Sequence, residues 1–170
     1  VADVARAKED LAGYYAHCTA VDACVGDLLA TIKECGIAEN TLFVFTSDHG
    51  DYLGDHWLGE KNLFHDPSVR IPLIIYDPRR TADATRGTVC TALVESIDLA
   101  ATFVEAAGGT VPDHIIEGRS LMGWINGETP EWRSYVISEY DFGAQPAAAK
   151  LGLNPRDARL FMVFDGRFKL

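Results

Sequence analysis

An α/β fold is predicted for this chain, and three observations predict it. The opening stretch repeats apolar residues at helical spacing, two short apolar runs follow at residues 42–46 and 71–76, and a second helical pattern comes after them. Apolar runs without alternation suit strands buried on both faces, as in an open, mostly parallel sheet flanked by helices. The last part of the chain changes character. Its short strand-like runs and tight-turn signal predict a small antiparallel subdomain, so the expected division is residues 1–134 for the α/β part and 135–170 for the subdomain.

Each element has its own warrant. Between Asp3 and Cys35, residues Leu11, Tyr14, Cys18, Val21, Val25, Leu28 and Ile32 recur at intervals of three and four, which makes one apolar stripe on a helix. Gly36 supplies its stop. Residues 42–46 form a strand, and this helix and strand are expected to be the αβ half of a βαβ unit. Residues 71–76 form the second buried strand, entered through Pro72, where a missing N–H is tolerated. A short strand is expected at 88–90. Ser96 is expected to cap a helix over 97–107, closed by Gly108 and Gly109. A helical turn follows at 121–125. Residues 135–139 and 160–164 read as strands, and Asp165-Gly166 signals a hairpin before the chain reaches Leu170. The first helix lacks a preceding strand and the sequence stops inside that hairpin, so a piece of a larger domain is expected.

Composition narrows the function. With 170 residues, 48% hydrophobic, the chain can bury a substantial core. A net charge of -10 argues against a nucleic-acid-binding surface. It fits a soluble, cytoplasmic protein, and an anionic substrate then needs a local positive group to overcome the overall field. No stretch approaches the roughly 20 apolar residues of a membrane span. The charged start is not a secretory signal. The four cysteines, Cys18, Cys24, Cys35 and Cys90, lack paired metal-ligand spacing and read as reduced, buried small hydrophobes.

The chemistry is concentrated where the first apolar run ends, in Ser47-Asp48-His49-Gly50. Ligands of open α/β sheets bind on the loops beyond strand ends. A carboxylate beside an imidazole is a donor pair that a divalent cation accepts. The plain alternative is a turn, with Asp48 capping the backbone and His49 in solvent. Lys61 follows in the glycine-punctuated loop. It is either a solvated charge or an ammonium placed to neutralise a phosphoryl, sulfuryl or leaving oxygen. Asp51, Asp55, His56, His65 and Asp66 are read as holding the loop in shape, Arg70 as tying it down, and Asp22 as a buried hydrogen-bonding acid. No partner is evident for His17 or His114.

These residues resemble the sulfatases of the alkaline phosphatase superfamily over most of the chain. The resemblance is carried by Tyr14-Tyr15-Ala16 with Val21-Asp22, the run from Asn40 into Ser47-Asp48-His49-Gly50-Asp51, and Leu53-Gly54-Asp55-His56. Lys61, Arg70-Ile71-Pro72-Leu73-Ile74 and Glu117-Gly118-Arg119-Ser120-Leu121 follow in order. The stretch from Lys61 to Ser68 and residues 82–99 are most similar to the phosphonate monoester hydrolase and phosphodiesterase branch.

The resemblance implies an alkaline-phosphatase-like mixed, mostly parallel sheet. It implies that Asp48 and His49 are two ligands of a divalent metal, calcium or manganese, and that Lys61 contacts the substrate's anionic group or leaving oxygen. The substrate class is then a small sulfate ester, phosphonate monoester or phosphodiester. The family's nucleophile is a hydrated formylglycine made in a Cys/Ser-x-Pro/Ala-x-Arg motif, and a cation lowers a hydroxyl's pKa. No cysteine here fits: they open CTAVD, CVGDL, CGIAE and CTALV. The acidic pair that ends the family's first strand is absent too. Nucleophile and remaining ligands are therefore expected in an N-terminal portion beyond these residues, where an export signal also has room, and these residues alone are expected to be inactive. The phosphonate branch forms tetramers, so a homo-oligomer is among the expectations. The rival readings are a phosphopentomutase-like phosphoryl-transfer enzyme and a non-catalytic interaction domain retaining the fold.

Overall fold

The structure, a computed structural model, describes residues 4–170. They fall into two compact units, the first running to Arg86 and the second covering Gly87–Leu170. The predicted helix start at Asp3 lies outside the described residues.

In the first unit, helix α1 spans Val4–Glu34. It ends as Gly36 predicts, in a left-handed turn at φ 68°. There the Ile37 N–H reaches the Ile32 carbonyl and the Gly36 N–H the Lys33 carbonyl, closing otherwise orphaned acceptors. Strand β1 spans Phe43–Thr46, the four-residue helix α2 spans Asp66–Val69, and strand β2 spans Leu73–Tyr76. Among the described residues β1 and β2 pair only with each other, and they pair antiparallel, from Phe43 opposite Tyr76 to Thr46 opposite Leu73. The expectation of a mostly parallel sheet is therefore corrected for this pair. A parallel return needs a crossover, usually a full helix, and the intervening segment holds only one turn of helix and a loop. The chain comes straight back, and Thr46 Oγ1 donates to the Pro72 carbonyl at 2.9 Å to close that end.

Further expectations of burial fail. No residue of α1 is buried, and the stripe residues Leu11, Tyr14, Val21 and Leu28 are exposed. A two-stranded sheet and its loops offer too little apolar surface to cover a helix of 31 residues. For the same reason Asp22 is exposed. Cys18, Cys24 and Cys35, and Cys90 in the second unit, are free and exposed rather than buried.

Asp77, at the exit of β2, is buried and closes the unit. Its carboxylate accepts from the Arg79 backbone N–H at 2.9 Å and from Arg79 Nη2 at 2.6 Å, while its carbonyl accepts from Arg86 Nη2 at 3.1 Å. These bonds tie the chain beyond the strand back onto its end.

In the second unit, helix α3 spans Asp98–Ala106, α4 spans Met122–Ile125, β3 spans Val136–Asp141, α5 spans Pro146–Lys150 and β4 spans Arg159–Phe164. The antiparallel expectation holds here: β3 and β4 pair from Val136 opposite Phe164 to Asp141 opposite Arg159. Asp165-Gly166 makes the predicted turn, with Gly166 at φ 90°. Asp165 Oδ1 accepts the Arg167 and Phe168 N–H groups, and these bonds hold its carboxyl below the usual range. Residues 88–90 are not a strand. Ser96 does not cap α3 through its side chain; Ile97 occupies the cap position, and the Glu95 N–H donates instead to Asp98 Oδ2 at 2.8 Å.

Asp98 is the hub of this unit at 0% exposure. It also accepts from the Arg119 N–H at 2.8 Å and from Arg133 Nη2 at 2.6 Å. Thr102, one turn on, accepts the Leu121 N–H at 2.9 Å. Gly118 fits because a β-carbon there would overlap the Ile97 carbonyl oxygen. The Glu117–Leu121 motif is thus docked on the start of α3 by buried, fully answered hydrogen bonds.

The Asp77 contacts carry a pH signature. The Arg79 guanidinium, first through its hydrogen bonds, holds the Asp77 carboxyl below its ordinary value of 3.8. A depressed folded-state pKa stabilises the fold above the unfolded value, and that contribution disappears as pH falls through the folded one. Asp77→Asn is expected to lower unfolding free energy by about 1–3 kcal/mol at pH 7. In urea titrations at decreasing pH, the gap to the unsubstituted protein should narrow below about pH 4.

Candidate active site

The loop leaving β1 carries the predicted residues and is tightly built. Asp48 accepts the His49 backbone N–H through Oδ1 at 2.9 Å, and its Oδ2 lies 3.4 Å from His49 Nε2. The His49 Nδ1 lies 2.8 Å from the Gly50 carbonyl oxygen. A carbonyl only accepts, so Nδ1 carries a proton and Nε2 is the ring nitrogen turned to the Asp48 carboxylate. Two acceptors facing each other across 3.4 Å repel unless a positive charge lies between them. A proton on Nε2 or a bound cation satisfies that demand. The imidazole is oriented from behind by a carbonyl, as in many metal-ligating histidines.

The donor chemistry fits half a metal site. Among the described residues no group of three or more His, Cys, Asp or Glu side chains is arranged to hold a metal ion. Asp48 is well exposed at 84% of its side chain and His49 at 37%, so further donors have access from one side.

Gly50 is required by position. Its N–H donates to the Ser68 carbonyl at 2.8 Å, and a β-carbon there would overlap the Pro67 carbonyl oxygen. Ser68 is buried, and its hydroxyl donates to the Lys61 carbonyl at 2.6 Å. The segments carrying His49 and Lys61 are thus tied to the same serine. Lys61 itself is exposed.

Between them the loop is strained. Leu53, His56, Trp57, Glu60 and Leu63 all have positive φ, between 49° and 69°. Bulky residues rarely adopt this left-handed region, and such clusters persist only where the surroundings impose them. Tyr52, 1% exposed, is the internal support: its hydroxyl lies 2.8 Å from His65 Nδ1, and His65 stacks on His56 at 4.0 Å. Asp51 and His65 do hold the loop in shape as expected, Asp51 by accepting the Leu53 N–H at 2.8 Å. Tyr52 and Ser68 were missed by sequence reasoning. Trp57 and Phe64 share the loop with Tyr52, and nothing in the order of residues says which aromatic turns inward; Trp57 is 90% exposed. His17 and His114 make only local contacts, to the Gly13 carbonyl and to Asp113.

A separate open cleft of about 660 Å³ lies between α1 and residues 51–60. Glu9, Asp10, Asp51 and Glu60 line it, and Asp48, His49 and Lys61 do not. Its acidic wall repels an anionic ester.

Comparison with known proteins shows the family to which the chain is similar. The sulfatase family model matches residues 2–109. The chain is 36% identical to an arylsulfatase of Clostridium perfringens over 80% of its length, covering 28% of that protein. It is 37% identical to a multifunctional alkaline phosphatase superfamily protein of Trinickia caryophylli over 98% of its length, covering 33% of it. The crystal structure of the phosphonate monoester hydrolase of Agrobacterium radiobacter superposes with a TM-score of 0.79 at 33% identity, across 88% of this chain and 30% of that one. The chain therefore spans about a third or less of the length of these relatives.

The Gly50 contact yields a direct test. Gly50→Ala must push the Pro67–Ser68 peptide away, and overpacking of this kind costs about 1–3 kcal/mol. The expected outcome is a lower denaturation midpoint with an unchanged urea slope.

Proposed function

The chain belongs to the sulfatase family, and from that premise we propose that the full-length protein is a metal-dependent hydrolase of small sulfate esters, phosphonate monoesters or phosphodiesters. The observation that carries this reading is the Asp48 carboxylate facing His49 Nε2 at 3.4 Å. A carboxylate and an imidazole nitrogen placed together are a donor pair that suits a divalent cation. Similarity to an arylsulfatase and to a phosphonate monoester hydrolase supports keeping both ester classes.

Asp48 and His49 would hold the cation, calcium or manganese, with further donors from outside these residues. When bound, the cation supplies Lewis-acid charge and lowers the pKa of an attacking hydroxyl. The Gly50 carbonyl keeps the His49 proton on Nδ1 and its ring turned toward Asp48. Lys61 supplies a compact positive charge for the substrate's anionic group or its leaving oxygen, where charge grows as the ester bond breaks. The nucleophile in this reading is a formylglycine outside the 170 residues, since no cysteine here sits in the required motif. The acidic balance of the chain makes these local charges the means of drawing an anionic ester.

The test uses the full-length protein with paired aryl sulfate and phenyl phosphonate substrates. Chelation should abolish hydrolysis, and calcium or manganese should restore it. Asp48→Ala and His49→Ala should each lower kcat/KM by at least about a hundredfold, and Lys61→Ala by about a hundredfold. Full activity in both ligand variants would remove the basis of the reading. A second expectation concerns the 170-residue chain alone: turnover no higher than that of its Asp48→Ala/His49→Ala control.

A further inference from the structure

We propose that Tyr52 and His65 are positioning residues for Lys61, acting through a closed ring of hydrogen bonds that fixes the lysine's backbone. The proposal rests on the reading of Lys61 as the substrate-contacting ammonium and adds what holds it in place.

A lysine carries its charge on a flexible stem, so its reach is set first by where its own backbone is held. Here both flanks are held. The Tyr52 N–H donates to the Glu60 carbonyl at 3.0 Å, and the Ser68 hydroxyl donates to the Lys61 carbonyl at 2.6 Å. These two anchors are joined to each other. The Ser68 N–H donates to the His65 carbonyl at 2.9 Å, and the His65 ring meets the Tyr52 phenol at 2.8 Å. The circuit Tyr52, His65, Ser68, Lys61, Glu60 and back to Tyr52 is complete.

Only one bond in this circuit joins two side chains, the phenol–imidazole contact. It is also the bond best placed to resist the strain. Five left-handed, non-glycine residues lie between Tyr52 and His65, and each disfavours the observed loop path. The stacking of His56 on His65 at 4.0 Å, with Tyr52 edge-on to both rings, fastens the apex of that loop to the same imidazole. Tyr52 and Ser68 are the buried members, at 1% and 3% exposure, so the bonds they make are shielded from competing water. Without the phenol–imidazole bond the loop is free to relax, and the backbone that carries the ammonium lies within it.

The experiment is a double-mutant cycle in the full-length protein, with an aryl sulfate and a phenyl phosphonate as substrates. Tyr52→Phe and His65→Phe each remove one end of the bond while keeping an aromatic ring. Each should lower kcat/KM about tenfold with Lys61 present, within the range that small misplacement costs. In the Lys61→Ala background the same changes should alter kcat/KM by less than about twofold, because their effect passes through the missing ammonium. His65→Asn places a polar atom close to Nδ1 and should recover most of the activity that His65→Phe loses. Equal losses in both backgrounds, or no loss in either, would overturn the proposal. A Lys61→Ala protein with full activity would instead remove the substrate-contact reading, and the positioning role with it. Should Tyr52→Phe fail to fold, the His65→Phe and His65→Asn pair decides the matter alone.

Discussion

The close approach of Gly50 to the Pro67–Ser68 peptide is the contact on which the candidate site depends. One glycine makes three contacts there. Its N–H holds the Ser68 carbonyl, its carbonyl holds the His49 ring, and its missing β-carbon admits the Pro67 oxygen. The first contact brings the returning chain against the end of β1. The second places a proton on Nδ1 and leaves Nε2 turned to the Asp48 carboxylate. Ser68 then extends the same attachment to Lys61. The segment of Asp48 and His49 and the segment of Lys61 are coupled through one backbone crossing at the single-turn helix α2.

The second unit is organised by a different means. Asp98 is a buried carboxylate with every neighbour supplying a donor: two backbone N–H groups and the Arg133 guanidinium. A buried charge persists only when paired and hydrogen-bonded to this extent. Arg133 in turn reaches Glu95 and stacks over Trp132, whose indole N–H donates to the Leu93 carbonyl. The Glu117–Leu121 motif, one of those that carried the family resemblance, thus has a structural role here. Its glycine and backbone groups seat it on α3.

Much of the local structure was legible because it depends on neighbours in sequence. Gly36 ended the first helix as its left-handed preference requires, and Asp165-Gly166 made the turn that its side-chain and backbone chemistry favours. The pair β3–β4 formed where strand-like residues flank a short helical connection. The expectation of a mostly parallel sheet did not extend to the β1–β2 pair, for a physical reason. An apolar run announces burial, but strand direction depends on what the intervening chain does, and here it forms a loop instead of a crossover helix. The stripe on α1 was read correctly as a helical face, yet burial requires a partner surface that this unit does not contain.

The sequence by itself determined the family and singled out the candidate residues at 48, 49 and 61, because these are chemical identities at short spacing within an ordered series of motifs. Tertiary structure alone decided that the carboxylate and imidazole face each other, that Tyr52 rather than Trp57 turns inward, and that Ser68 joins the two halves of the loop. Those outcomes rest on contacts between groups 13 and 7 residues apart, through Tyr52 to His65 and Ser68 to Lys61, along a left-handed path that no local propensity favours.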